Sequence, residues 1–168
     1  ALIAARHNSG LGSDPNSVLL VSEDAHSSFI KCIRIMGLDE ANLIRIKTDN
    51  NGSIDIQNLR KTIDKCFIDN KKIFAIVATL GTTVRGAIDP IKDISEICKE
   101  RNIWLHIDGS IGGIFAITSI PIEGLNNINQ ANSITINPQK IIGITKTSSL
   151  LLVSEMSTLK NTFSTGLP

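Results

Sequence analysis

Short, nearly continuous apolar runs alternate along this chain with stretches of helical spacing. Val18 to Ser22 (VLLVS) reads as a buried strand, and between His26 and Met36 the apolar positions Phe29, Ile30 and Ile33 fall on one helical face. Gly37 ends that helix. Asn42 to Lys47 (NLIRIK) alternates as a strand does, and a DNNG turn then leads to Ser53, whose hydroxyl is expected to cap a helix beginning near Asp55. Ile73 to Thr79 is a strand, Ile91 to Arg101 a helix, and Ile103 to Asp108 another strand; Ser133 to Ile136 and Ser148 to Val153 complete the set. Strands this apolar, alternating with helices, predict an α/β domain whose largely parallel sheet carries helices on both faces.

The ends carry their own expectation. ALIAARH runs apolar with no Ser, Thr or Asp before it, so it reads as the inside of a helix. NTFSTGLP offers nothing resembling a closing helix. A domain truncated at both ends is expected, and no charged-then-apolar leader is visible.

The 168 residues suit one domain, 42% of them hydrophobic and 20% charged, which excludes a disordered or collagen-like chain. A net charge of +1 lacks the basic excess that phosphate-backbone binding uses, so nucleic acid is not an expected partner. Mean hydropathy is +0.13, yet every apolar run is broken by Thr, Asn, Lys or Gly well before the ~20 residues that span a bilayer, so no membrane is expected. Cys32, Cys66 and Cys98 form no CxxC pair. Each is read as a free thiol on the core face of a different helix, in a reducing, cytoplasmic setting.

Ligands of open α/β sheets bind beyond the carboxyl ends of the strands. The segments there are SEDAHSS, ATLGTTVRGAIDP, WLHIDGSIGG and NSITINPQK, all polar or small where the apolar runs stop. Asp108 ends an apolar strand; it either caps the following GSIGG turn or pairs with a cation brought by a ligand. Lys140 taken alone is a solvated lysine, and His26 alone is a helix cap. Together they place an amine, a carboxylate and a flat ring at three strand ends of one sheet, which is the equipment of a pyridoxal phosphate site. The GTT block lacks the P-loop pattern GxxxxGK[ST], and GSIGG misses the GxGxxG spacing. His7 and His106 stay unassigned; His106 is read as an ordinary strand residue whose direction is open, sharing a face with Asp108 and supporting it only where the alternation is unbroken.

ATLGTTVRGAIDPI, WLHIDGSIGG and ANSITINPQKIIG resemble the signature blocks of the group II pyridoxal-phosphate-dependent amino-acid decarboxylases, the family of glutamate, cysteine-sulfinate and aromatic amino-acid decarboxylases. The likeness runs over essentially the whole chain. It implies the large domain of a fold-type-I enzyme, here residues 1–168, with the phosphate-binding turn and the C-terminal small domain missing. It implies release of carbon dioxide and an amine from an L-amino acid, pyridoxal 5'-phosphate as cofactor, and a homodimer. By position, Lys140 resembles the lysine that carries the cofactor, Asp108 the carboxylate paired with its ring nitrogen, and His26 the histidine stacked on the ring. Thr83 matches a residue beside the ring, and Asn137 one near the phosphate. Two positions depart from the pattern: Gln139 stands where the family has histidine, and Gly109 and Ser110 stand where it has two alanines. Glutamine keeps a hydrogen-bond donor but cannot become cationic. The fragment by itself is expected to be inert. The other classes carried forward are a different fold-type-I enzyme, such as an aminotransferase or a carbon–carbon lyase, and a non-catalytic remnant.

Overall fold

The runs too apolar to leave one face in water become the inner strands of a parallel sheet. The computed structural model describes residues 1–122, 124–145 and 148–165. Its strands are β1 (Ser17–Ser22), β2 (Leu43–Ile46), β3 (Lys72–Thr79), β4 (Trp104–Gly109), β5 (Ser133–Ile136) and β6 (Leu150–Val153). They form one six-stranded sheet in the order β2-β1-β3-β4-β5-β6. Neighbours from β2 to β5 are parallel, and β6 returns antiparallel along β5.

Helices α1 (Leu2–Asn8), α2 (Ser28–Ile35), α3 (Ile56–Ile68), α4 (Ile91–Arg101), α5 (Pro138–Ile141) and α6 (Met156–Phe163) surround the sheet. Leu20, Ile76 and Leu105 on one face pack with Leu59 and Ile63 of α3 and Ile94 and Ile97 of α4. Leu19, Val21 and Val77 on the other face pack with Leu2 and Ala5 of α1 and Phe29 and Ile33 of α2. The helices on both faces are therefore as expected. Cys66 and Cys98 are buried on α3 and α4, while Cys32 on α2 is half-buried; all are free. No helix among the described residues is long and apolar enough to cross a membrane.

Local chemistry sets most boundaries, and three expectations need correction. Gly37 does end α2, at φ +70°, with Leu38 N–H donating to Ile33 O at 3.1 Å. The expected start at His26 moves to Ser28. Asp55, not Ser53, caps α3: its carboxylate accepts from Gln57 N–H at 2.8 Å and Asn58 N–H at 3.0 Å. Ser53 is engaged elsewhere, its hydroxyl donating to Ile88 O at 2.7 Å. A helix also stands near the chain's end, where none was expected. α6 packs on α1, and Asn8 Nδ2 donates to Thr158 O at 3.1 Å and Thr162 Oγ1 at 3.2 Å. No residue of α6 is buried. Residues 166–168 of that terminal stretch lie outside the described residues.

Candidate active site

The loops that leave β3 and β4 are stitched to one another. Leu80 N–H donates to Asp108 O and Gly112 N–H donates to Leu80 O, each at 2.9 Å. A Cβ on Gly112 would stand 2.7 Å from that Leu80 oxygen, and one on Gly109 would stand 3.0 Å from Thr135 O. Backbone approach this close explains glycine at position 112, whereas a Cβ at position 109 would need its neighbours to give by only a few tenths of an ångström. Asp89 clamps the other end of the β3 loop. It is 1% exposed, accepts from Ile54 N–H at 2.8 Å and Thr79 N–H at 2.7 Å, and is pushed up to about 6 because burial outweighs those two donors. Within the loop, buried Thr82 accepts from Ala87 N–H at 3.0 Å, closing the turn and leaving Thr83 exposed.

Asp108 stands half-buried at the carboxyl end of β4. Its Oδ1 accepts from Ser110 N–H at 3.1 Å, so turn capping accounts for one oxygen; the other has no hydrogen-bond partner among the described residues. The carboxylate lines a cavity of about 330 Å³ together with Ser110, Thr135, His106, Ser28 and Phe29. In register beside it stand Thr79 on β3 and Thr135 on β5. Thr79 Oγ1 is buried with no hydrogen-bond partner.

The other expected site residues lie at the same edge of the sheet but outside the cavity lining. His26 is exposed just before α2, where its Nδ1 accepts from Ser28 N–H at 3.2 Å and lies 2.9 Å from Ser28 Oγ. Lys140 is exposed on α5, and its amine makes no hydrogen bond or ion pair among the described residues. Asn137 begins α5 and accepts from Ser149 Oγ at 2.7 Å, tying the turn to the approach to β6. Gln139 is half-buried, with its Oε1 enclosed and unpartnered.

His106, unassigned from sequence, shares a strand face with Asp108. It is 4% exposed, its Nδ1 lies 2.8 Å from Ser133 Oγ, and its Nε2 lies 3.4 Å from Thr135 Oγ1. Burial pushes its pKa down to about 4 against the attraction of Asp108, so the ring is neutral at physiological pH.

Residues 8–166 match the family model described as the pyridoxal-dependent decarboxylase conserved domain. The acidic amino acid decarboxylase GADL1 of Xenopus tropicalis is 35% identical over 133 residues, covering 79% of this chain and 26% of that protein. Its mouse counterpart is 33% identical over 150 residues, 89% of this chain and 27% of that protein. Among solved structures, mouse CSAD is similar with a TM-score of 0.91 at 27% identity, over 98% of this chain and 36% of that one. Catharanthus roseus tryptophan decarboxylase in complex with L-tryptophan gives 0.91 at 29% identity, over 98% and 37%. The chain spans about a quarter of the length of the curated relatives it matches.

Proposed function

Because the chain belongs to the pyridoxal-dependent decarboxylase family, we propose that the full-length protein removes the carboxylate of an L-amino acid as carbon dioxide and releases the amine, with pyridoxal 5'-phosphate as its cofactor. The observation that carries this reading is the Asp108 carboxylate, half-buried at a strand end, with one oxygen unpartnered in the wall of a cavity of about 330 Å³. A cavity of that size suits a small planar ring, and a carboxylate in its wall suits a protonated ring nitrogen.

When bound, the cofactor supplies an electron sink for the electron pair left by the departing carboxylate. The chain's own residues do the rest of the work assigned here. Lys140 would hold the cofactor through Nζ at the carboxyl edge of the sheet, where its exposed amine could also carry a proton when not so engaged. Asp108 keeps a proton on the ring nitrogen by charge, and His26 offers a flat ring for stacking. Thr83 and Asn137 are assigned to the ring edge and the phosphate side. Gln139 contributes an amide donor that stays neutral at every pH. The same proposal takes the working protein as a cytoplasmic homodimer.

Borohydride reduction of the full-length protein with pyridoxal phosphate, followed by peptide mapping, tests the assignment. Label at Lys140 is expected, and Lys140→Ala should abolish it while leaving the melting temperature of the cofactor-free protein within a degree or so, because the side chain is exposed. Label at another lysine overturns the site. Product analysis over glutamate, aspartate, cysteine sulfinate and aromatic amino acids is expected to find amine and carbon dioxide in equal amounts; a keto acid would make the protein an aminotransferase instead.

A further inference from the structure

Beneath Asp108 lies a row of polar side chains that the proposed reaction does not use. Strand alternation puts Trp104, His106 and Asp108 on one face of β4, and the β4–β5 register sets Ser133 beside His106 and Thr135 beside Asp108. Trp104 Nε1–H can only donate, and it donates to Ser133 Oγ at 2.9 Å. The Ser133 hydrogen must then find an acceptor, and the one within bonding distance among the described residues is His106 Nδ1, at 2.8 Å. A neutral imidazole whose Nδ1 accepts carries its proton on Nε2. That nitrogen faces Thr135 Oγ1 at 3.4 Å, so the threonine oxygen accepts there and keeps its own hydrogen to donate. Thr135 and Asp108 share the wall of the same cavity.

We propose that Trp104, Ser133 and His106 form a one-directional donor chain that locks His106 as the neutral Nε2–H tautomer and turns the Thr135 hydroxyl toward Asp108, making His106 and Thr135 positioning residues for that carboxylate. The chain has a physical reason. An imidazolium two residues along the same strand face would neutralise the charge Asp108 offers to a cationic ligand group. That role for Asp108 belongs to the function proposed above, and the inference rests on it. Burial acts in the same direction, since His106 is 4% exposed and loses water's support for its cation. The Thr135 hydroxyl, in register beside Asp108 and in the same cavity wall, meanwhile presents its hydrogen to the side of the carboxylate.

Nitrogen NMR of the full-length protein labelled with ¹⁵N-histidine reads the tautomer without any cofactor. His106 is expected as neutral Nε2–H between about pH 6 and pH 8. Trp104→Phe frees the Ser133 hydroxyl to accept instead of donate, and Ser133→Ala removes it; each should lose the pure Nε2–H signature. An Nδ1–H or cationic His106 in the unaltered chain overturns the proposal, and this result needs no variant to fold. Unchanged tautomers in both variants also overturn it. For the Thr135 half, pyridoxal phosphate affinity of the full-length protein, titrated by absorbance, should fall roughly tenfold in Thr135→Val and return in Thr135→Ser, the size of one neutral hydrogen bond. Equal affinity in Thr135→Val and the unaltered protein removes Thr135 from the scheme. Failure of Lys140 to take the borohydride label removes the proposed function, whereas a wrong His106 tautomer removes this inference whatever Lys140 does.

Discussion

Replacing Asp89 with asparagine sets two opposing effects against each other at the foot of the loop that carries Thr83. The Asp89 carboxylate accepts from the backbone of Ile54 at 2.8 Å and of Thr79 at 2.7 Å, tying the approach to α3 and the end of β3 to that loop. An amide has one acceptor oxygen, so one of these buried N–H groups would face an NH₂ donor, at a cost of about 1–3 kcal/mol. Against this stands the cost of a buried charge. Burial raises the Asp89 pKa from 3.8 to about 6, with Asp49 and Asp24 adding to the shift. The folded chain therefore holds the proton more tightly than the unfolded chain does. The stability this group contributes is fully present below pH 3.8 and is lost as pH rises through about 6. At about 1.4 kcal/mol per pH unit the loss reaches about 3 kcal/mol by neutrality, and asparagine does not suffer it. The penalty of Asp89→Asn should be about 1–3 kcal/mol near pH 4 and shrink toward zero near pH 7. Urea midpoints of the two proteins, compared pairwise at several pH values, measure the difference directly. A penalty that grows as pH rises would refute the reasoning, because the two backbone donors would then outweigh burial and the carboxylate would be the favoured form.

Asp108→Asn should lower turnover of the full-length protein at least about a hundredfold, the scale of removing one preorganised electrostatic contact, and a rate near that of the unaltered protein would end the electron-sink role of this residue. Gly112→Ala pushes a Cβ to 2.7 Å from Leu80 O and should cost about 1–3 kcal/mol in a denaturant titration; a loss under about 0.5 kcal/mol would mean that the β3 and β4 loops part easily. The Cys98 thiol, pushed up to about 12 by burial, should resist an aromatic disulfide reagent at about pH 8 until the chain unfolds, and rapid labelling in the native state would contradict its placement against the sheet.

The amino-acid sequence by itself determined the elements whose periodicity is strong. α4 spans Ile91–Arg101 and β5 spans Ser133–Ile136 as read, because apolar spacing and flanking Pro or Asn act within a few residues. It also put Asp108, Thr83, His26 and Lys140 at one edge of the sheet, since each follows an apolar run and such runs open at their carboxyl ends, but it did not show that Asp108 alone of the four lines the cavity. Capping was legible only as a choice between neighbours: Ser53 and Asp55 are both able to cap, and the contact of Ser53 with Ile88, 35 positions away in sequence, decided between them. Strand order and the reversal of β6 came from pairing between distant segments, and an apolar run such as LLLV carries no signal for strand direction. α6 was invisible because its partner, α1, lies at the opposite end of the chain and buries none of its residues. The roles of Asp89 and His106 belong to tertiary structure for the same reason. A carboxylate between two backbone donors, or an imidazole between Ser133 and Thr135, takes its protonation and its direction from groups that only folding brings near, and no local pattern records them.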